Sequence, residues 1–289
     1  MPSRWSERRE RFRAILSGTA CIHPASVFDP ISARIAEDLG FEACMFAGSV
    51  ASLAILGAPD NISITLTEFA SQGHRICRAT NLPLLVDADH GYGNALNVMR
   101  TVEELETAGI AGLSIEDTAL PEPFGGGDTT LLPLDEGVGK MRAAVAGRRD
   151  PALVIAARTS ASSITGLDDA VRRVKAYSAT GVDAIFCATV KTREEVAALK
   201  AATHLPLILG GIPAALADRD YLGKAGVRIA LQGHQSFQAA VHGVYATLKA
   251  LRDGTEPAKL TGLASPALMT QVTRSDDYAR WTREFLGGS

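Results

Sequence analysis

The stretch Gly109-Ile110-Ala111-Gly112-Leu113-Ser114-Ile115-Glu116-Asp117 contains the unit from which the fold is read. A helix-like segment, Asn97–Ala108, stops at Gly109; an apolar run follows, and two acids stand where it ends. The same device recurs with Gly40 before Phe41–Met45, Gly181 before Val182–Phe186, and Gly226 before Val227–Leu231. Three further runs follow a proline: Pro83 before Leu84–Val86, Pro151 before Ala152–Ala156, and Pro206 before Leu207–Leu209. Proline at the first residue of a strand sacrifices no ladder hydrogen bond. With Cys21–Phe28 as the first, the chain has eight expected strands, and amphipathic stretches such as Asp168–Thr180 and Thr192–Ala202 fill the gaps. This alternation predicts an α/β fold, a single (β/α)8 TIM-type barrel domain over residues 1–289. A doubly wound sheet shares the rhythm, but no glycine-rich phosphate fingerprint follows the first strand and there is no Walker sequence.

The barrel is extended at both ends. Residues 1–18 read as an N-terminal helix, with Trp5, Phe12, Ile15 and Leu16 at helical spacing and no apolar leader. Residues 264–289 read as a helical tail whose Tyr278, Trp281 and Phe285 need a surface to cover them. That surface is either the chain's own barrel or a neighbouring subunit. Of the 289 residues 46% are hydrophobic, enough for a continuous core. The 29 basic and 32 acidic residues leave a formal charge of -3, so no general field draws nucleic acid or an anionic membrane. Cys21, Cys44, Cys77 and Cys187 form no CxxC pair and lie mostly in apolar runs, as reduced core thiols of a cytoplasmic protein do. Neither a signal peptide nor a membrane span is expected.

Active sites of such barrels lie at the C-terminal ends of the strands, and these ends are polar here. In Val86-Asp87-Ala88-Asp89-His90-Gly91-Tyr92-Gly93-Asn94, two carboxylates spaced two apart share one face of an extended chain and can aim at one hard cation. Asp60, in Pro59-Asp60-Asn61, can reach that cation's water shell, or is a turn residue. Glu116 leaves an apolar strand and needs a cation or donor to receive it. Arg158 ends another strand, its planar fork suited to a substrate carboxylate or to a structural pair with a glutamate. Ser49, within Gly48-Ser49-Val50-Ala51-Ser52, either binds a carboxylate or caps a helix. His234 offers a hydrogen bond or a proton at the same rim, or caps the next helix. His90 is not expected to be a ligand, and His23, His74, His204 and His242 have no metal-ligand spacing. Thr118–Leu132, with Pro121, Pro123 and Gly125-Gly126-Gly127, is long enough to be a closing lid.

With Asp87–Asn94, Glu116-Asp117-Thr118 and Ala157-Arg158-Thr159 in this order, the chain resembles the phosphoenolpyruvate mutase and isocitrate lyase superfamily over nearly its whole length. Within it, Ser26-Val27-Phe28-Asp29-Pro30, Gly48–Ser52 and Gly233-His234 look most like the oxaloacetate decarboxylase group. The resemblance implies that Asp87 binds Mg2+ directly, with Asp60, Asp89 and Glu116 holding it through water and Mn2+ as an alternative ion. It implies that Ser49, Arg158 and His234 contact a 2-oxo diacid, that Arg158 and His234 serve catalysis, and that no organic cofactor takes part. It also implies a homotetramer with exchanged C-terminal helices. The lid reads Pro123-Phe124-Gly125-Gly126-Gly127-Asp128, without the catalytic cysteine of the family's lyases and without basic residues for a phosphoryl group. Ser160 stands where asparagine is expected, and Gly210-Gly211 where bulkier polar residues are. The expected reaction is loss of carbon dioxide from C4 of oxaloacetate, leaving a pyruvate enolate whose oxygen stays on Mg2+. The alternatives are a lyase or phosphonate hydrolase acting on another 2-oxo or 2-hydroxy acid, and a barrel that binds a metabolite without turning it over.

Overall fold

A computed structural model describes residues 4–287. Eight parallel strands lie in sequence order: β1 (Ala25–Ser26), β2 (Cys44–Phe46), β3 (Leu84–Asp87), β4 (Gly112–Glu116), β5 (Val154–Thr159), β6 (Ala184–Cys187), β7 (Leu207–Leu209) and β8 (Val227–Ala230). The ring closes through Ile22, whose N–H donates to the Arg228 carbonyl at 2.9 Å and whose carbonyl accepts from Ala230 N–H at 3.0 Å. This is the (β/α)8 barrel that the alternating pattern predicts. Gly40, Gly109, Gly181 and Gly226 all have positive φ, as helix-terminating glycines do. The first strand departs from expectation. Of Cys21–Phe28 only Ala25–Ser26 is a strand, and Ile22 makes an isolated bridge, because Pro24 interrupts the ladder between them.

Strands β2, β3, β4, β6 and β7 are buried throughout, so their runs are continuously apolar rather than alternating. The N-terminal helix Arg4–Ser17 plugs the end of the barrel opposite the polar strand ends. Phe12 is fully buried and packs where Gly112 leaves no space for a side chain of its own. Trp5 likewise covers Gly109. The arginines of this helix complete the plug by donating to backbone carbonyls: Arg8 to Cys77, Arg9 to Glu106 and Ile110, and Arg13 to Ala152 and Leu153. Arg9 also pairs with Asp150 at 2.7 Å.

The chain's last helices cover less. Gln235–Arg252 has no buried residue and exposes Val241, Val244, Tyr245 and Leu248. The tail forms two helices, Pro266–Thr273 and Ser275–Leu286. The first returns to the helix Pro30–Asp38, where Arg274 pairs with Asp38 at 2.7 Å and Arg34 donates to the Val272 carbonyl at 3.1 Å. The second leaves Tyr278, Trp281 and Phe285 exposed. Among the described residues no helix is long and apolar enough to cross a membrane.

Because Phe12 fills the barrel's closed end, Phe12→Ala is expected to lower unfolding stability by roughly 3–5 kcal/mol. Chemical denaturation monitored by circular dichroism checks this; a loss below about 1 kcal/mol would show that the helix lies on the barrel without plugging it.

Candidate active site

The C-terminal strand ends surround a cavity of about 400 Å³. Ser49, Asp60, Asp87, Asp89, Glu116, Arg158 and His234 all line it, so the structure brings together every residue that the sequence singles out for the site. Met45, Phe186 and Leu231 provide apolar wall, and Gly210 and Gly211 contribute wall without side chains.

Sheet register fixes the floor. Asp87 of β3 lies opposite Ser114 of β4, and Ser114 Oγ donates to Asp87 Oδ1 at 2.9 Å. Glu116 of β4 lies opposite Arg158 of β5, and Arg158 Nη2 stands 3.3 Å from Glu116 Oε2. The other arm of Arg158 is ion-paired with Asp87 Oδ2. Thus the structural pair with a glutamate exists, and the same guanidinium also reaches the aspartate. Its charged carbon sits 5.4 Å from the centre of the Phe186 ring, which restricts its position.

Asp89 reaches the cavity by a route that strand alternation does not supply. β3 ends at Asp87, and Asp89 has φ of 47°, a left-handed conformation beyond the strand. The Asp89 carbonyl accepts from Glu116 N–H at 2.8 Å, which secures the turn. Its carboxylate lies against Gly48, where any Cβ would collide with it. Ser49 follows in the short helix Gly48–Ala51, which has no side-chain cap, so the capping role does not apply to this serine. His234 precedes the helix Gln235–Arg252 but makes no capping bond; its Nδ1 instead lies 2.8 Å from Ser26 Oγ.

Like charges concentrated in a buried site resist ionisation. Burial, reinforced by Asp87, Glu116 and Asp60, pushes the Asp89 carboxyl well above the usual carboxylate range. Asp60 is raised by burial and by Asp87. Glu116 is raised by burial even though Arg158 opposes the shift. Burial also disfavours the charge on Arg158, but Asp87 and Glu116 outweigh it and keep the guanidinium protonated. Burial lowers His234 despite the opposing pull of Asp87 and Asp60, so its imidazole is neutral at neutral pH.

Other residues lie apart from this cavity. His90 is buried beside Tyr92 and pushed down to about 4 by burial and by Lys140, with no partner for Nδ1 among the described residues. The His23 ring nitrogen lies 2.7 Å from the Ala230 carbonyl. All four cysteines are buried; burial pushes Cys44 and Cys187 up to about 12 and Cys21 to about 11, which makes these three thiols poor nucleophiles.

Two acids escape the sequence reading. Glu122 lines the cavity from the 118–132 loop, in a stretch of prolines and glycines that gives its side chain no predictable direction. Asp117 points away from the cavity into a buried bond set, and the alternation of side chains along a strand, applied from Glu116 onward, is the signal that finds it.

Among the described residues, no three carboxylate, imidazole or thiol groups converge closely enough to hold a metal ion unaided. The donor set nevertheless fits a hard divalent cation bound with most of its water: oxygen ligands only, held close enough to raise one another's pKa, with a single permanent cation among them.

The family model described as phosphoenolpyruvate phosphomutase matches residues 12–252. A curated oxaloacetate decarboxylase of Bradyrhizobium diazoefficiens is 60% identical over 280 residues, covering 97% of both chains. The solved structure of oxaloacetate acetylhydrolase with the inhibitor 3,3-difluorooxalacetate superposes with a TM-score of 0.85 at 28% identity, over 98% of both chains. Phosphonopyruvate hydrolase in complex with oxalate and Mg2+ superposes at 0.83 with 27% identity, over 96% of this chain and 99% of that one. A barrel closed in strand order, a carboxylate-lined mouth and these full-length similarities together establish that the chain belongs to the phosphoenolpyruvate mutase and isocitrate lyase superfamily.

Proposed function

We propose that this chain catalyses the Mg2+-dependent decarboxylation of oxaloacetate, or a close 2-oxo diacid, to pyruvate and carbon dioxide. One observation carries the metal requirement: Asp60, Asp87, Asp89 and Glu116 share a small cavity with one guanidinium, an arrangement whose negative charge is left uncompensated. Relatives named oxaloacetate decarboxylase over nearly the whole chain support the substrate, and a superfamily structure holding oxalate and Mg2+ supports the ion.

In this reading Asp87 would be the direct ligand, and Asp60, Asp89 and Glu116 would hold the ion through its water molecules. An Mg2+ ion held there would supply Lewis acidity at the C2 oxo oxygen, where the electron pair of the breaking C3–C4 bond goes, with no organic cofactor. Arg158, paired with Asp87 in this structure, would turn its fork to a substrate carboxylate. Ser49 donates its hydroxyl to the 2-oxo acid end. With Nδ1 occupied by Ser26, neutral His234 has Nε2 left for the oxo group. Mn2+ replaces Mg2+ in the same oxygen set. The 118–132 loop closes over the bound diacid and brings Glu122 with it.

The active particle is a cytoplasmic homotetramer in which the helix Ser275–Leu286 packs on a neighbouring subunit. The exposed Tyr278, Trp281 and Phe285, and the helix Gln235–Arg252 with no buried residue, support it.

Asp87→Ala is expected to cut protein-dependent pyruvate formation from oxaloacetate more than about a hundredfold, since a lost Lewis acid costs several kcal/mol. The assay subtracts decarboxylation by free Mg2+; unchanged turnover in the variant refutes the site, and none in the wild type redirects the substrate. The raised carboxyls of Asp60, Asp89 and Glu116 give a second expectation. A carboxyl raised on folding contributes stability that is present below its unfolded pKa and is lost as pH rises through the folded value. Mg2+ compensates the ionised form, so the rise in melting temperature on adding Mg2+ grows as pH is raised above the ordinary carboxylate range. A constant or shrinking rise contradicts it. In sedimentation velocity the protein is expected to run at four chain masses, and Trp281→Asp with Phe285→Asp to run smaller; a monomeric wild type contradicts the tetramer.

A further inference from the structure

Behind the cavity wall, Asp117 is fully buried at the outer side of the β4 end. Its Oδ2 accepts three hydrogen bonds: from Tyr177 OH at 2.7 Å, Arg173 Nη1 at 2.9 Å and Thr159 Oγ1 at 3.0 Å. Its Oδ1 has no partner among the described residues. Arg173 is shared with Asp169 at 2.8 Å, and both Arg173 and Tyr177 belong to the helix Leu167–Ser178. The fit around the hydroxyl is tight, because any side chain at Gly137 of the neighbouring helix Leu134–Gly147 would run into it.

This bond set borders Glu116 through chain neighbours. Its carboxylate has two holds, Thr118 Oγ1 at 3.0 Å and Arg158 Nη2 at 3.3 Å. Thr118 directly follows Asp117, and Arg158 directly precedes Thr159, so each hold on Glu116 is the covalent neighbour of a member of the Asp117 bond set. The backbone repeats the tie: Asp117 N–H donates to the Arg158 carbonyl at 3.3 Å. The Asp117 carbonyl also accepts from Leu132 N–H at 2.8 Å, and Ala119 N–H donates to the Thr130 carbonyl at 2.9 Å, which closes the neck of the 118–132 loop.

We infer that Asp117, with Arg173 and Tyr177, is a positioning residue that fixes Glu116 and Arg158 at the metal shell and sets the base of the loop above it. The set acts through Glu116 and touches neither ion nor substrate, so the inference rests on the metal reading above. A purely structural role predicts a loss of stability alone. A positioning role predicts weaker binding of the ion, since partners behind ligating groups are worth roughly tenfold or more in metal affinity.

The test is Mn2+ affinity by electron paramagnetic resonance on the full-length protein, read together with KM and kcat. Asp117→Asn is expected to weaken Mn2+ binding about tenfold and to lower kcat more than it raises KM. Tyr177→Phe removes one donor while preserving the packing, and is expected to weaken Mn2+ binding in the same direction by a smaller factor. If Asp117→Asn does not fold, Tyr177→Phe decides alone. Folded variants that bind Mn2+ as tightly as the wild type overturn the inference, whatever their melting temperatures. A wild type that binds no Mn2+ overturns the metal reading together with it, a result distinct from selective loss in the variants.

Discussion

Arg158 faces carboxylates on several sides, and the mouth of the barrel is arranged around that imbalance. One guanidinium arm holds Asp87 and the other reaches Glu116, while Asp89 and Asp60 add negative charge to the same cavity without a cation of their own. Carboxylates brought together away from water repel and raise one another's pKa, a free-energy cost that burial of apolar groups elsewhere must offset. The fold accepts this cost by anchoring three of these acids separately. Ser114 holds Asp87, Thr118 holds Glu116, and a left-handed turn against Gly48 holds Asp89. Such an arrangement is unfavourable for stability alone and well suited to receiving a small divalent cation.

The rest of the barrel makes that strain tolerable. Strands buried on both faces fix the register that sets Asp87 opposite Ser114 and Glu116 opposite Arg158. The N-terminal helix seals the far end with Phe12, and its arginines satisfy carbonyls that would otherwise be buried without donors. Stability therefore concentrates at the closed end and polarity at the open one, the division of labour that parallel barrels impose. The tail departs from this economy, because its aromatic face is not covered by the chain's own barrel.

Much of this was legible in the sequence where a residue type has one physical meaning. A glycine closing a helix before an apolar run marks a strand, and Gly40, Gly109, Gly181 and Gly226 all behave so. Acids and an arginine at the ends of such runs face the barrel mouth because strands leave them nowhere else to be solvated or paired. Residues with several meanings were less readable. Asp89 reaches the site through a positive φ that period-two alternation does not describe, and β1 is shorter than its apolar run because Pro24 breaks the ladder. Arg158 unites two acids from different strands, a pairing that depends on register rather than on spacing along the chain. Asp117 looks like a second mouth residue beside Glu116, and only its position on the opposite side of the strand assigns it to the scaffold.

The central claim, that these carboxylates form a divalent-cation site which frees Arg158 for substrate, is tested most directly by crystallography with Mn2+ and oxalate using anomalous scattering. The account predicts one Mn2+ in the cavity with Asp87 as its direct protein ligand, Asp60, Asp89 and Glu116 reached through water, and Arg158 moved from Asp87 onto an oxalate carboxylate. A cavity without Mn2+, or an Arg158–Asp87 pair that persists beside bound oxalate, would contradict it.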